Sequence, residues 1–251
     1  MRLFNVLADG GSEIVSAIGL ISSDVDFSKW EPVLPLGIRD VTAIIGPEPV
    51  EALAAFYSGD MGDIVECPQG IPGAVKALKC LQQAVALFTW LKIIPTLDAQ
   101  HDSTGRQRRL GENEKGLTAI QEFKDEQNIL RMAYEATDAL IEIMDREAFP
   151  FWVNSRKYNL RKGLLIQSKE EFDEYYHIGS HRLFVTLLPV MREVQGAQVA
   201  PVLGRKYLSM LLAGENPEIT GLLKEPAARA VALLTMQKAI ERLPVEVIPE
   251  G

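Results

Sequence analysis

An internal repeat constrains the fold of this chain more than any other feature. Residues 20–30, LISSDVDFSKW, align without a gap to residues 165–175, LIQSKEEFDEY. The two segments share Leu, Ile, Ser and Phe, and they keep an acidic and an aromatic residue at equivalent positions. A match this short can arise by chance, so the residues that follow each copy decide whether the chain is a duplication.

Both copies continue in the same order beyond this match. Each carries a Leu-Pro pair and a further proline at equal distance: Leu34-Pro35 with Pro47, and Leu188-Pro189 with Pro201. Two alanine-rich segments follow, AVKALKCLQQAVALFTW from Ala74 and AARAVALLTMQKAIERL from Ala227, with Pro72 and Pro226 just upstream. A helix tolerates proline at its start, so we predict two units, at about residues 20–95 and 165–249. The alternative is that unrelated helices share simple apolar patterns.

The apolar spacing predicts two long helices. From Ala74 to Leu91 apolar residues recur at intervals of three and four, which is typical of one buried helix face. A second helix is predicted from about Leu117 to Asp145. Its expected packing seam consists of Ile120, Phe123, Gln127, Leu130, Tyr134, Thr137, Ile141 and Met144. The polar Gln127 and Thr137 are expected to fix the register of that seam.

The remaining local signals complete the predicted fold class. Ser23 to Asp26 and Ser168 to Glu171 have the spacing of a helix capping box. Short strands are expected at residues 20–21, at residues 164–166 and in the N-terminal LFNV. We therefore predict a mainly α protein, a helical bundle of two duplicated helical units with short strands. The units should pack as one domain over residues 1–251, with a long loop and helix at residues 96–148 between them.

Composition narrows the class of protein. The chain has 251 residues, of which 47% are hydrophobic, and it carries a formal charge of −8. This acidity argues against a general nucleic-acid binder, which needs a basic face. Cys67 and Cys80 lack the spacing of a metal or redox pair and are expected to be small buried residues. The longest apolar run contains Lys92 and Pro95 and is too short to span a bilayer, so we predict a soluble protein, either cytoplasmic or assembled in a virion.

No catalytic or metal-binding motif stands out. The neighbours His101, Asp102 and Ser103 have the residue types of a hydrolytic triad, but true triads are assembled from separated segments. His177 and His181 have a zinc-compatible spacing only if their segment is helical, and Gly179 lies between them. The acidic row of the second helix lacks the histidines of a di-iron site and is expected to be a solvated face; it consists of Glu135, Asp138, Glu142 and Asp145. We therefore predict a non-enzymatic protein without cofactor or metal.

The segment between the two long helices is the candidate interaction site. Residues 98–116, DAQHDSTGRQRRLGENEKG, are far more than a helical connection requires. They contain the one basic cluster of the chain: Arg106, Arg108 and Arg109. Two interpretations stay open: a hairpin-like arm that contacts a partner protein or DNA, or a solvated connector.

Two resemblances suggest a function. Residues 133–204 contain the block Trp152 to Ser155, the cap Ile166 to Phe172, and Pro201 to Gly204. This segment resembles an uncharacterised family of bacterial proteins found in prophage-like gene neighbourhoods. Residues 74–145, a helix, a polar loop with a Thr-Gly turn and a second helix, are similar in outline to phage head-tail connector (adaptor) proteins.

The resemblances imply a structural component of a phage or prophage particle that assembles with itself or with other phage structural proteins. Contact with DNA through the basic loop is a weaker expectation. No membrane partner is expected. The alternatives are a host-encoded helical protein-binding module, or an enzyme whose site is not visible in the sequence.

Overall fold

The predicted fold class is confirmed: the protein is mainly α-helical. The computed structural model describes residues 2–5, 10–19, 27–57, 73–97, 99–102, 105–108 and 118–242. By its internal contacts the chain divides into two compact units, Met1–Trp152 and Val153–Gly251. Each unit is described by itself below.

The elements follow one another in a simple order. Those of the first unit are α1 (Gly10–Ile18), a 3-10 turn (Phe27–Lys29), α2 (Leu34–Ile45), α3 (Pro47–Ala55), α4 (Ala74–Leu97), β1 (Ala99–Asp102), β2 (Gly105–Arg108) and α5 (Ala119–Glu147). The short helix α6 (Pro150–Val153) crosses the boundary between the units. The second unit has α7 (Arg156–Asn159), α8 (Lys169–Asp173), α9 (His181–Val194), a π turn (Gln195–Val199), α10 (Ala200–Leu203), α11 (Arg205–Ala213) and α12 (Pro217–Arg242).

Helix α4 is the centre of the first unit. It packs against α1, α2, α3 and α5, with the most extensive contact to α5. The predicted buried residues Ala77, Leu78 and Leu81 are fully inaccessible to solvent. By length and composition α4 is the one described helix long and apolar enough to cross a membrane, yet 56% of that stretch is buried inside the protein. Burial on several sides is typical of the core helix of a water-soluble unit.

Two close contacts fix α4 against the preceding segments. Trp30 is fully buried and stacks on Trp90, with ring centroids 5.4 Å apart and planes 4° from parallel. Gly37 of α2 lies so close to α4 that a Cβ atom there would be 2.2 Å from Thr89 Oγ1 and 2.7 Å from the Val85 carbonyl oxygen. A side chain at position 37 would therefore force the two helices apart.

The N-terminal residues are held by side chains, and no strand forms over residues 3–5, where one was predicted. Leu3 and Phe4 are buried. Glu13 of α1 accepts a hydrogen bond from the Asn5 N–H at 2.8 Å, and Gln82 Nε2 donates to the Leu3 carbonyl at 2.7 Å. These side chains satisfy backbone groups that a strand partner would otherwise have to satisfy.

The second unit is built on a pair of packed helices. Helix α9, the π turn and α10 follow without interruption from His181 to Leu203, and α9 packs against α12. The face of α12 that is buried carries mainly small residues, which let the helices approach closely: Ala227, Ala228, Val231, Ala232, Thr235, Met236 and Ala239. On the outside of this pair Glu193 binds Lys238 and Arg242, each at 2.6 Å.

The two predicted repeat units share an order of elements and a local hydrogen-bond pattern. The N–H groups of Trp30 and Glu31 donate to the Phe27 carbonyl, just as those of Tyr175 and Tyr176 donate to the Phe172 carbonyl. In both units a helix then packs against a later long helix, α2 on α4 and α9 on α12. A common ancestor for the two units stays a prediction.

Several local expectations are wrong. Pro226 is expected just before a helix, but it lies inside α12. Leu34-Pro35 begins α2, and the equivalent Leu188-Pro189 lies inside α9. Residues 164–166 form no strand. The serine half of the capping box at Ser168 is confirmed, because its hydroxyl accepts from the Glu171 N–H at 3.1 Å. The Glu171 carboxylate accepts from the Gln167 N–H at 2.7 Å, one residue before the cap. The capping box at Ser23 and the expected strand at residues 20–21 lie outside the described residues, as do Pro72 and Cys67.

Candidate interaction surface

The segment between α4 and α5 contains a β-hairpin. Strands β1 and β2 pair antiparallel, with Ala99 opposite Arg108, Gln100 opposite Gln107, His101 opposite Arg106 and Asp102 opposite Gly105. This register leaves two residues to connect the strands, the shortest common hairpin connection. A hairpin-like arm was one of the two interpretations of this segment. Contact with a partner stays a prediction.

The basic cluster belongs in part to this hairpin. Arg106 and Arg108 are alternate residues of β2, and alternate positions of a strand share one face of a sheet. Arg109 lies outside the described residues. His101 and Asp102 are consecutive residues of β1, so they belong to opposite faces, while Ser103 is not described. The backbone therefore does not bring His101 and Asp102 to one face.

The start of α5 extends beyond its partner helix. Phe88 of α4 contacts Tyr134 of α5 edge to face, with ring centroids 5.6 Å apart. Near the other end of the pair, Gly73 lies against Glu147, so the two helices run antiparallel. Continuing that register brings the end of α4, at Leu97, level with about Asp125. The first turns of α5 thus lie beyond the end of α4.

This overhang corrects the predicted packing seam. Ile141 and Met144 are fully buried, but Ile120 is 69% exposed and Phe123 is 61% exposed. Gln127 is also exposed, so it fixes no register within the described part of the unit. Thr137 is buried and donates to the Ala133 carbonyl of its own helix at 2.8 Å, which leaves it no hydroxyl proton for α4. We call Ile120 and Phe123 the α5 overhang.

The acidic row of α5 has mixed surroundings. Glu135 and Glu142 are exposed, as expected of a solvated face. Asp145 is only half-buried, and it accepts a hydrogen bond of 2.6 Å from the Trp152 indole N–H. In the described residues no group of three or more His, Cys, Asp or Glu side chains is placed to hold a metal ion. Asp145 therefore gives the row a structural contact with Trp152.

The two predicted histidines have separate partners. His177 is exposed, and its Nδ1 lies 3.5 Å from Asp173. His181 is the first residue of α9, and its Nε2 lies 3.9 Å from Glu170. Gly179 between them has φ +63°, a left-handed conformation that ends helical continuity. The zinc-compatible spacing needed one continuous helix, which the structure does not form here.

Sequence reasoning missed a buried polar clamp in the second unit. Gln195, at the start of the π turn, accepts from the Leu165 N–H at 2.8 Å and donates to the Gly163 carbonyl at 2.7 Å. Arg192 donates to the carbonyls of Leu160 and Lys162. Together these side chains hold residues 160–165 against the end of α9. A buried glutamine in an apolar helix is the signal, since buried amides are almost always hydrogen-bonded.

The fold and this surface define a mainly helical protein. Its first unit contains a long helix, a β-hairpin and a second long helix in succession. Residues 67–162 match the Family of unknown function (DUF6712). The match covers 96 of the 251 residues and contains α4, the β-hairpin and α5. Comparisons with curated proteins and with solved structures gave no match. The family description assigns no activity.

Proposed function

We propose that this chain is a structural, non-enzymatic component of a phage or prophage particle, and that it acts as a head-tail connector (adaptor) by assembling with further copies of itself. The observation that carries the proposal is the α5 overhang, Ile120 and Phe123. Two large apolar side chains are exposed where the predicted packing seam continues past the intramolecular partner. Apolar knobs of this kind are typical of protein interfaces.

The overall outline supports the same proposal. Two long helices joined by an extended polar segment resemble the connector outline, and the described part of that segment is a β-hairpin with two arginines. The chain as a whole is acidic, with a formal charge of −8. A cationic hairpin on an acidic protein complements the acidic surface of a neighbouring copy.

The test is the assembly state of the full chain. We expect native mass spectrometry and negative-stain electron microscopy to show closed rings whose population rises with protein concentration. The combined change Ile120→Ala and Phe123→Ala should weaken assembly, because it removes the exposed apolar anchors. A chain that stays monomeric at every concentration would contradict assembly with itself and would favour the host-encoded protein-binding module.

The basic cluster has its own matched control. Replacing Arg106, Arg108 and Arg109 by alanine should weaken assembly, whereas replacing the exposed cations Arg205, Lys206 and Arg229 by alanine should not. Both triple variants remove three positive charges, so a general effect of net charge would appear in both. If the two triple variants assemble equally well, Arg106, Arg108 and Arg109 do not contribute to the interface.

DNA contact is the weaker part of the proposal and is tested separately. Fluorescence anisotropy with duplex DNA measures binding over a range of salt concentrations. If Arg106, Arg108 and Arg109 contact phosphates, replacing all three should reduce the slope of log K against log salt concentration by about three, whereas the control triple variant should not change that slope. A salt dependence unchanged by the hairpin variant would exclude phosphate contact through these arginines.

A further inference from the structure

The start of the second unit carries a second basic cluster. Between Val153 and Ser168 the sequence contains no Asp or Glu and four cations: Arg156, Lys157, Arg161 and Lys162. The cluster at residues 106–109 is therefore not the one basic cluster of the chain, as the sequence had suggested. On a chain with a formal charge of −8, a segment of this composition locally reverses the sign of the charge.

Tight turns hold this segment in a defined shape. The Ser155 hydroxyl caps α7 by accepting from the Tyr158 N–H at 3.2 Å. Each residue from Leu160 to Lys162 then donates its N–H to the carbonyl three residues earlier. Such turns rise by about 2 Å per residue, so the backbone from Arg156 to Lys162 spans no more than about 12 Å. The cations are therefore close together and attached to an ordered backbone.

Arg192 of α9 belongs to the same surface. Its Nη2 donates to the Leu160 carbonyl at 2.8 Å and to the Lys162 carbonyl at 3.2 Å. One nitrogen makes both bonds, so the Nε and Nη1 groups of the guanidinium are left for a further acceptor. Glu193, the neighbouring carboxylate on α9, binds two cations of α12 instead. We define the α7 basic surface as Arg156, Lys157, Lys162 and Arg192.

The α7 basic surface has no apolar anchor. Its side chains are exposed apart from Lys157, which is half-buried. Leu164, Leu165 and Ile166 are buried, and no large apolar side chain from Val153 to Ser168 is exposed. Protein partners are usually held by buried apolar or aromatic side chains, and lysine is depleted from their interfaces. A phosphodiester backbone requires only closely spaced cations, so the surface favours a nucleic acid over a protein.

We propose that the α7 basic surface binds the phosphate backbone of duplex DNA. Duplex DNA carries one negative charge per about 1.7 Å of its axis, so a length of about 12 Å presents about seven phosphates to these cations. The inference goes beyond the proposed function, because it names a partner and a surface that a single chain presents without assembly.

Replacing two lysines tests the contact in the full chain. Lys157→Ala with Lys162→Ala should weaken binding to a short labelled duplex about tenfold or more, because two phosphate contacts are lost. The slope of log K against log salt concentration should fall by about two. Fluorescence anisotropy measures both. Lys206→Ala with Lys224→Ala removes the same charge from exposed positions of α11 and α12 and should leave the slope unchanged. Equal slopes for the two double variants overturn the proposal.

A charge-preserving variant separates the contact from a structural role of the lysines. Lys157→Arg with Lys162→Arg keeps both positive charges and should bind the duplex within about threefold of the wild type. Circular dichroism compares the helix content of all variants. An arginine variant that binds as weakly as the alanine variant overturns a charge contact.

Two further measurements distinguish other sources of binding. Labelled polyglutamate should bind about tenfold more weakly than the duplex, because its charge density is lower. Polyglutamate that binds as tightly as the duplex would overturn nucleic acid as the partner. The effect of the two lysines should persist in a chain whose Arg106, Arg108 and Arg109 are already alanine. Its absence there would assign DNA binding to the cluster at residues 106–109 and overturn the proposal.

The outcomes also separate this inference from the proposed function. A chain that forms rings but binds no duplex would overturn the DNA contact and leave assembly intact. A chain that stays monomeric and binds the duplex through Lys157 and Lys162 would support the DNA contact and contradict assembly with itself.

Discussion

At the scale of single residues, Gly37 lies at a close helix crossing in the first unit. Any side chain there meets Thr89 and the backbone of Val85. We expect Gly37→Ala to destabilise the first unit by about 1–3 kcal/mol, the usual result of overpacking. Tryptophan fluorescence during denaturation measures this, because all three tryptophans, Trp30, Trp90 and Trp152, belong to that unit.

A second glycine provides the control for this prediction. Gly221 lies inside α12, and a Cβ atom there would meet nothing within 4 Å. Gly221→Ala should stabilise the chain by about 0.4–1 kcal/mol, because alanine loses less backbone freedom on folding. Circular dichroism gives this comparison. Similar results for the two alanine variants would mean that Gly37 does not lie at a close helix crossing.

Gln195 gives a prediction for the second unit. Gln195→Ala leaves the buried Leu165 N–H without its acceptor, so we expect a loss of about 1–3 kcal/mol. Gly163 is an exposed residue, so we expect water to replace the lost donor at its carbonyl at little cost. Gln198→Ala removes the same side chain from an exposed position of the same π turn and should have little effect. Denaturation followed by circular dichroism compares the two, and equal midpoints would exclude the clamp.

At the scale of elements, helix α5 combines a buried half with an exposed overhang. Ile141→Ala removes a fully buried side chain and should cost about 2–5 kcal/mol. Ile120→Ala makes the same change on the same helix where the side chain is 69% exposed, and it should change stability by less than about 0.5 kcal/mol. Chemical denaturation of the isolated chain measures both. A large loss for Ile120→Ala would show that the overhang is covered within the chain.

The short helix α8 depends on its side chains, because five residues are too few for a helix to be stable alone. Asp173 accepts from the Ile178 N–H at 2.8 Å and from the Lys169 ammonium at 2.7 Å. Burial alone would raise the pKa of Asp173, but these hydrogen bonds and the charges of Lys169 and His177 lower it below its ordinary value of 3.8. The ionised carboxylate therefore stabilises the folded second unit.

This shift predicts an acid-sensitive second unit. With the folded pKa below the unfolded one, the stabilisation is complete above the unfolded pKa and is lost as the pH falls through the folded pKa. We expect stability measured by circular dichroism to decline below about pH 4. Asp173→Asn should flatten that decline, whereas Glu174→Gln, at an exposed neighbour, should preserve it. An unchanged profile for Asp173→Asn would assign the acid sensitivity to other carboxyl groups.

At the scale of the whole molecule, the duplication makes a geometric prediction. The segments from Phe27 to Leu97 and from Phe172 to Arg242 should superpose over their short turns and their packed helices, and a crystal structure measures that superposition. Shared hydrogen bonds at the turns and the shared order of elements motivate this. Clearly different crossing angles for α2 on α4 and α9 on α12 would indicate separate origins.

The sequence predicts the long helices α4 and α5 but misses the β-hairpin and the α5 overhang, and each outcome has a physical reason. The regular spacing from Ala74 predicts α4, and Thr118 begins α5 as a capping box with Gln121, within two residues of the expected start. The β-hairpin is missed as two defined strands because AQHD and GRQR contain no β-branched or aromatic residue. The α5 overhang is missed because periodicity shows which face of a helix is apolar, but not how far its partner extends.

The stacked pair of Trp30 and Trp90 also provides an intrinsic spectroscopic probe of the first unit. Two indole rings this close and nearly parallel share their electronic excitation, so their circular dichroism differs from that of two separate indoles. Loss of the circular dichroism signal from this pair would therefore show when the turn at Trp30 separates from α4. The unfolding of the helices is followed separately.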